Sequence, residues 1–143
     1  MTHRHAIEKR SEEILVTLFN MAIASSEARV IEAFGVGSDT AHYPAVTCYC
    51  VSAEEEVSQT GIYRARCEVH IETYRADDTA GAALAELVGK VRQQVQSSLE
   101  MEATSDVTQA TIHRILLADS NSTVDGNVRR VEIGVDLIWS PLD

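Results

Sequence analysis

Lysine is almost missing from this 143-residue chain. Lys9 and Lys90 are the only two, and 12 Lys plus Arg stand against 22 Asp plus Glu, for a formal net charge of -10. Proteins that grip DNA or RNA draw most of their nonspecific affinity from neutralising phosphates with Lys and Arg. A chain with the opposite field repels a polyanion instead of binding it. Proline is scarce, with two residues, and glycine is modest, with seven. Those counts exclude a linker or a low-complexity protein, and a hydrophobic fraction of 45% excludes a disordered one. Long apolar runs are absent too: the best candidate, Ile14 to Ala24, is interrupted by Thr17 and Asn20. It falls well short of the roughly 20 residues that a membrane span needs, so no membrane partner is expected. The first residues lead straight into Glu8, Lys9 and Arg10, so no secretory leader is expected either. The length suits one domain, taken as residues 1–143.

Cysteine is limited to Cys48, Cys50 and Cys67. An odd number without a leader points to free thiols rather than a disulfide framework. Cys48 and Cys50 lie in the β-branched run Pro44 to Ser52, where alternate residues share a face, so both thiols should line one side with Val46. Neither a C-x-x-C motif nor paired histidines accompany them. Small core residues, not a zinc site, are the expected role.

The patterning that is present alternates between two periods. Ile7, Ile14, Leu15, Leu18, Phe19, Ala22 and Ile23 recur at helical spacing and predict a helix from His5 to about Ile23, with Arg4, Glu8, Arg10, Glu12, Glu13 and Asn20 mainly off its apolar stripe. The stretch from Ala28 to Phe34 reads either as a continuation of helix or as a short strand, ended by Gly35 to Asp39. Pro44 to Ser52 predicts a strand, and Ile62 to Arg75 a long one. In the latter, Tyr63, Ala65, Cys67, Val69 and Ile71 alternate with Arg64, Arg66, Glu68, His70 and Glu72. Asp77, Asp78 and Thr79 offer helix-start acceptors. They precede a stripe of Ala80, Ala83, Leu84, Leu87, Val88, Val91, Val95 and Leu99, with Gly81 and Gly89 expected to permit close approach to the sheet. A final hairpin is predicted from Ala110 to Ala118 and from Val128 to Trp139, joined by a loop at Asp119 to Asn127 with its tight turn at Asp125-Gly126. Val131, Ile133, Val135, Leu137 and Trp139 should face the core, and Arg130, Glu132, Gly134 and Asp136 should face outward.

The fold class that follows is α+β, in the order α-β-β-α-β-β: an antiparallel sheet of about four strands with two helices packed on one face. The opposite sheet face carries Arg64, Arg66, Glu68, His70, Glu72, Arg130, Glu132 and Asp136.

Chemistry-bearing motifs are thin. His70 between Glu68 and Glu72 could build a general base, yet no nucleophile or phosphate loop accompanies it, and a wet charged strand is the plainer reading. Gly35 and Gly37 lack the third glycine and strand-to-helix context of a dinucleotide site. Glu54, Glu55 and Glu56 are consecutive, so they cannot all point at one ion, and the spaced oxygen ligands of a calcium loop are missing. His3 and His5 sit in a segment prone to fray, against a metal role. No enzyme, cofactor or metal is expected. The alternating Arg and Glu residues of the outward face suit a subunit contact whose register is set by charge. The two long hairpin loops also exceed what an isolated domain requires.

Several features together resemble the tail terminator (tail completion, or neck) proteins of long-tailed bacteriophages. They are the amphipathic first helix with Ile14, Leu15, Leu18 and Phe19, the strand opening Tyr43-Pro44, and the long strand running into Asp77, Asp78, Thr79 and Ala80. The helix tail from Val91 to Leu99 and the closing strand from Val131 to Trp139 complete the pattern. The resemblance is architectural and spans nearly the whole chain. It implies a structural virion protein, assembled in the host cytoplasm, that forms a hexameric ring in the tail or neck. Such a ring caps the tail tube protein, ends tail polymerisation and docks to the head-tail connector or stopper, while DNA passes without specific binding. On this reading Glu54, Glu55 and Glu56, with Arg64, Arg66, Glu68, His70, Glu72, Arg130 and Glu132, are interface or lumen candidates. Two other classes are compatible with the residues: a small-ligand or regulatory α+β domain acting as a dimer, and an enzyme using His70 with Glu68 or Glu72.

Overall fold

Alternating apolar residues commit the middle and the end of the chain to strands, and the computed structural model arranges them as one five-stranded sheet. It describes residues 4–33, 43–55, 60–78, 80–97 and 108–141, without the side chains of Arg4, His5 and Asp125. The elements are α1 (Arg4–Asn20), β1 (Arg29–Glu32), β2 (Ala45–Glu55), β3 (Tyr63–Tyr74), α2 (Ala82–Ser97), β4 (Ala110–Asp125) and β5 (Val128–Pro141). Strand order is β1-β2-β3-β5-β4. The α+β class and the two helices agree with expectation, but the sheet is mixed, with five strands instead of about four. The segment left open at Ala28 to Phe34 contributes the extra strand: Arg29 to Glu32 pairs in parallel with Ala45 to Cys48. Four residues are too short to display a two-residue period, so only pairing with β2 reveals the strand.

The dry core lies between one sheet face and both helices. Ile14, Leu15, Leu18 and Phe19 of α1 are completely buried, as are Val69 and Ile71 of β3, with Ile133, Val135, Leu137 and Trp139 of β5 at most 2% exposed. The polar side of α1 is drier than its wheel suggests. Glu8, Ser11 and Glu12 are buried, and two of them answer specific backbone and ring donors. Trp139 Nε1 donates to Ser11 Oγ at 2.9 Å, and Ser11 in turn donates to the Ile7 carbonyl. Pairing of β2 with β3 shifts between Cys50 and Ser52, where Val51 bulges out. The Cys50 N–H at this bulge donates to Glu12 Oε2 at 2.9 Å. A bulge removes a ladder partner, and a buried N–H left without one costs about 1–3 kcal/mol.

The second helix begins later than the acceptors that precede it. Asp78 reaches forward over the turn: Oδ1 accepts from the Ala83 N–H at 3.0 Å, and Oδ2 from the Leu84 N–H at 3.1 Å and the Thr73 hydroxyl at 2.9 Å. Gly81, at φ 74°, supplies the left-handed step between them. Leu87, Val91 and Val95 are buried, but Ala80 and Ala83 are exposed, and Thr79 and Leu99 lie outside the described residues. Gly89 faces open space, so the expected close approach there does not occur. It occurs instead at Gly134 on β5, where an added Cβ would stand 2.9 Å from Ala118 Cβ and 3.3 Å from the Asp119 carbonyl oxygen.

Asp119 to Asn127 is the largest departure from expectation. β4 runs through it for 16 residues to Asp125, paired with β5 almost throughout, and is interrupted by irregularities at His113 and at Ala118-Asp119. The turn is two residues, Gly126 and Asn127, with Gly126 at φ 59°; a glycine in the first central position suits a type II′ hairpin. The run of Asp119, Ser120, Asn121, Ser122 and Thr123 reads as loop because these residues are polar and exposed. Strand pairing, not burial, holds it.

Candidate functional site on the open face of the sheet

Residues directly opposite in neighbouring strands share a face, so the registers of β2, β3, β5 and β4 define rows across the uncovered side. From one end these are Ala45, Glu72, Arg130 and Thr123; then Thr47, His70, Glu132 and Asn121; then Tyr49, Glu68 and Gly134, with the β4 bulge above the glycine. Two further rows are Ser52, Arg66, Asp136 and Leu116, and then Glu54, Arg64, Ile138 and Arg114. The outward set read from the sequence therefore lies on one surface.

The pairings within it follow the registers more than chain proximity. Glu72, two residues from His70, turns away to its cross-strand neighbour: Arg130 Nη2 and Nε lie 3.0 and 3.3 Å from Glu72 Oε2. This bond to Glu72 is the main reason the Arg130 guanidinium is held above its ordinary pKa. His70 is instead flanked by Glu68, with Nε2 3.5 Å from Oε2, and by Glu132, with Nε2 3.9 Å from Oε1. Tyr49 packs on the imidazole with ring centroids 4.4 Å apart. Partial burial first, and then the field of Glu72, push the Tyr49 hydroxyl above its usual value. Arg64 stands 3.9 Å from Asp136, and Arg66 is exposed between Ser52 and Asp136. The carboxylates that flank His70 are thus Glu68 and Glu132; Glu72 is not one of them. Glu132 could not be recognised as a partner of His70 before the β3–β5 register was known.

The consecutive glutamates do not form a shared patch. Glu54 lies on the open face opposite Arg64. Glu55 is opposite Tyr63 on the other side, where its Oε2 accepts from the Gly61 N–H at 3.4 Å. Glu56 lies outside the described residues, as do His3, His42 and Gly35 to Asp39, and nothing is described of the His5 side chain.

The thiols occupy the opposite, covered face. Cys48 is fully buried, and burial pushes its pKa well up. Cys67 pairs across the strands with Cys50, and its thiol is raised by its bond to Cys50 and by burial. Val46, Cys48 and Cys50 share one side, as the alternation requires. Among the described residues no helix is long and apolar enough to cross a membrane. No protein-family model and no curated protein matches the chain.

Proposed function

We propose that the chain is a structural virion protein of the tail terminator kind. On this reading it forms a homo-oligomeric ring, a hexamer by analogy, that caps the tail tube, ends tail polymerisation and joins the tail to the head connector. The observation that carries this reading is the outer edge of β4, a 16-residue strand at the end of the sheet with no neighbour on that side among the described residues. Edge strands invite pairing with another chain, and head-to-tail contacts of one copy with the next close into rings. Leu116, on the open face, and Val124, on the other side of the strand, are 42% and 56% exposed and offer apolar contact points on each side of this edge. The rows of alternating charge on the Leu116 side of the sheet offer register for a neighbouring copy. A net charge of -10 suits a bore through which DNA slides without sticking.

Light scattering across a concentration series, with negative-stain imaging, tests the proposal. The expected particle is a ring with a mass several times 15.7 kDa, or a ring that forms on added tail tubes. A strict monomer at every concentration that ignores tail tubes overturns it. The double variant Leu116→Glu, Val124→Glu should keep the monomer's melting temperature and lose the ring, because both side chains are exposed and contribute little to the core.

A further inference from the structure

We propose that Glu68, His70 and Glu132 form a binding site for a first-row divalent transition ion of the zinc type on the open face of the sheet. One ligand atom from each residue lies within 4.8 Å of the other two. With metal–nitrogen and metal–oxygen bonds of about 2.0–2.1 Å, neighbouring ligands of a tetrahedral ion stand roughly 3.4 Å apart. The His70 to Glu68 distance of 3.5 Å already matches that spacing, and the His70 to Glu132 distance of 3.9 Å needs only a small carboxylate rotation.

Three further observations point the same way. His70 Nε2 is buried and makes no hydrogen bond among the described residues, although two carboxylates flank it. A buried polar atom without a partner calls for an explanation such as an ion. Charge is also unbalanced there. Arg130 bonds Glu72 and also stands 3.9 Å from Glu132, so one guanidinium serves two carboxylates, and no Lys or Arg among the described residues is within ion-pair distance of Glu68. A divalent cation neutralises the two carboxylates together. Finally, the platform is rigid. Glu68 and His70 are alternate residues of β3, Glu132 is directly opposite His70 on β5, and Tyr49 packs on the imidazole. Glu68 and Glu132 also line a depression of about 310 Å³, together with Asp119 and Asn121. Water or these oxygen donors can complete the ion's coordination from that side. One nitrogen with two carboxylates favours zinc, manganese, iron or nickel over magnesium and calcium, which prefer all-oxygen sites. The bound ion staples β3 to β5. All three ligands come from one chain.

Calorimetric titration of the chelator-treated full chain with Zn²⁺ tests the assignment. The expected result is one saturable ion per chain, a raised melting temperature, and no comparable effect of Mg²⁺. His70→Gln and Glu132→Gln should each weaken Zn²⁺ binding by about tenfold or more, whereas Glu86→Gln on α2 and the double variant His3→Ala, His5→Ala should leave it unchanged. X-ray absorption of the zinc-loaded wild type needs no variant and should report imidazole and oxygen ligands only. No saturable binding, a sulfur ligand in the absorption spectrum, loss of the site in the N-terminal histidine variant, or undiminished binding in both His70→Gln and Glu132→Gln would each overturn it.

Discussion

On β5, Ile133 and Val135 point beneath the helices and are each 1% exposed, while Glu132 and Gly134, next to them in the chain, look out over the open face. The same backbone thus serves two environments with opposite rules. Beneath the helices, shape decides: side chains fill a space closed by α1 and α2, and polar atoms are admitted only where a donor meets an acceptor, as Trp139 meets Ser11 and Cys50 meets Glu12. On the open face, charge and register decide, and side chains pair across strands with water close by. Damage to the first face should therefore cost stability steeply, and damage to the second should cost little.

Trp139→Ala presses the contrast hardest. The ring is 2% exposed, lies tilted against Tyr63 with centroids 5.3 Å apart, and bonds Ser11. Its removal should destabilise by about 3–5 kcal/mol, read as a shift of the urea midpoint, and a loss below about 1 kcal/mol would mean the covered face is loosely packed. Gly134→Val comes next and blurs the division, since it is an open-face residue governed by shape. Its new Cβ meets Ala118 Cβ and the Asp119 carbonyl, so the β4 bulge must move, at about 1–3 kcal/mol. Proton chemical shifts of Ala118 to Asn121 should follow.

Asp78 is the reverse exception, a carboxylate tucked beside the covered face. Burial alone would raise its pKa, but the Ala83 N–H, the Thr73 hydroxyl, the Leu84 N–H and the nearby Arg129 charge together hold it below the ordinary 3.8. A lowered folded-state value means that the ionised group stabilises the fold fully above pH 3.8 and loses that contribution as the pH falls below it. Asp78→Asn should be less stable at neutral pH and should flatten the acid limb of the melting curve; an unchanged acid limb would remove Asp78 as its source. Arg130→Ala has the smallest expected effect, under about 1 kcal/mol and diminishing with added salt, because its partnership with Glu72 lies at the edge of solvent. A larger, salt-independent loss would mean that this pair behaves as part of the core.

The covered face was the more legible one. Helical spacing in Ile14 to Phe19 and alternation in Val131 to Trp139 report burial directly, since each residue's own polarity shows which way it points. Where function would sit is less legible, because it depends on neighbours distant in the chain. Glu68, His70 and Glu72 look like one cluster along the strand, yet cross-strand registers send Glu72 to Arg130 and bring Glu132 to His70. Glu12 looks solvated on a helical wheel, but a bulge 38 positions away needs its oxygen. Ser120 to Thr123 look like loop because composition reports exposure, not hydrogen bonding, and a two-sided exposed ribbon has the composition of a turn.

The cysteines of the central strands have a practical consequence. Cys48 and Cys67 are buried beneath the helices, where their thiol pKa values are pushed up, so an alkylating reagent reaches them when the helices lift from the sheet or the sheet opens. Cys50, half-buried beside the bulge, is the internal standard for reagent access. The rate at which the two hidden sulfurs are consumed is therefore a clock for opening of the covered face, readable by mass spectrometry without any introduced label.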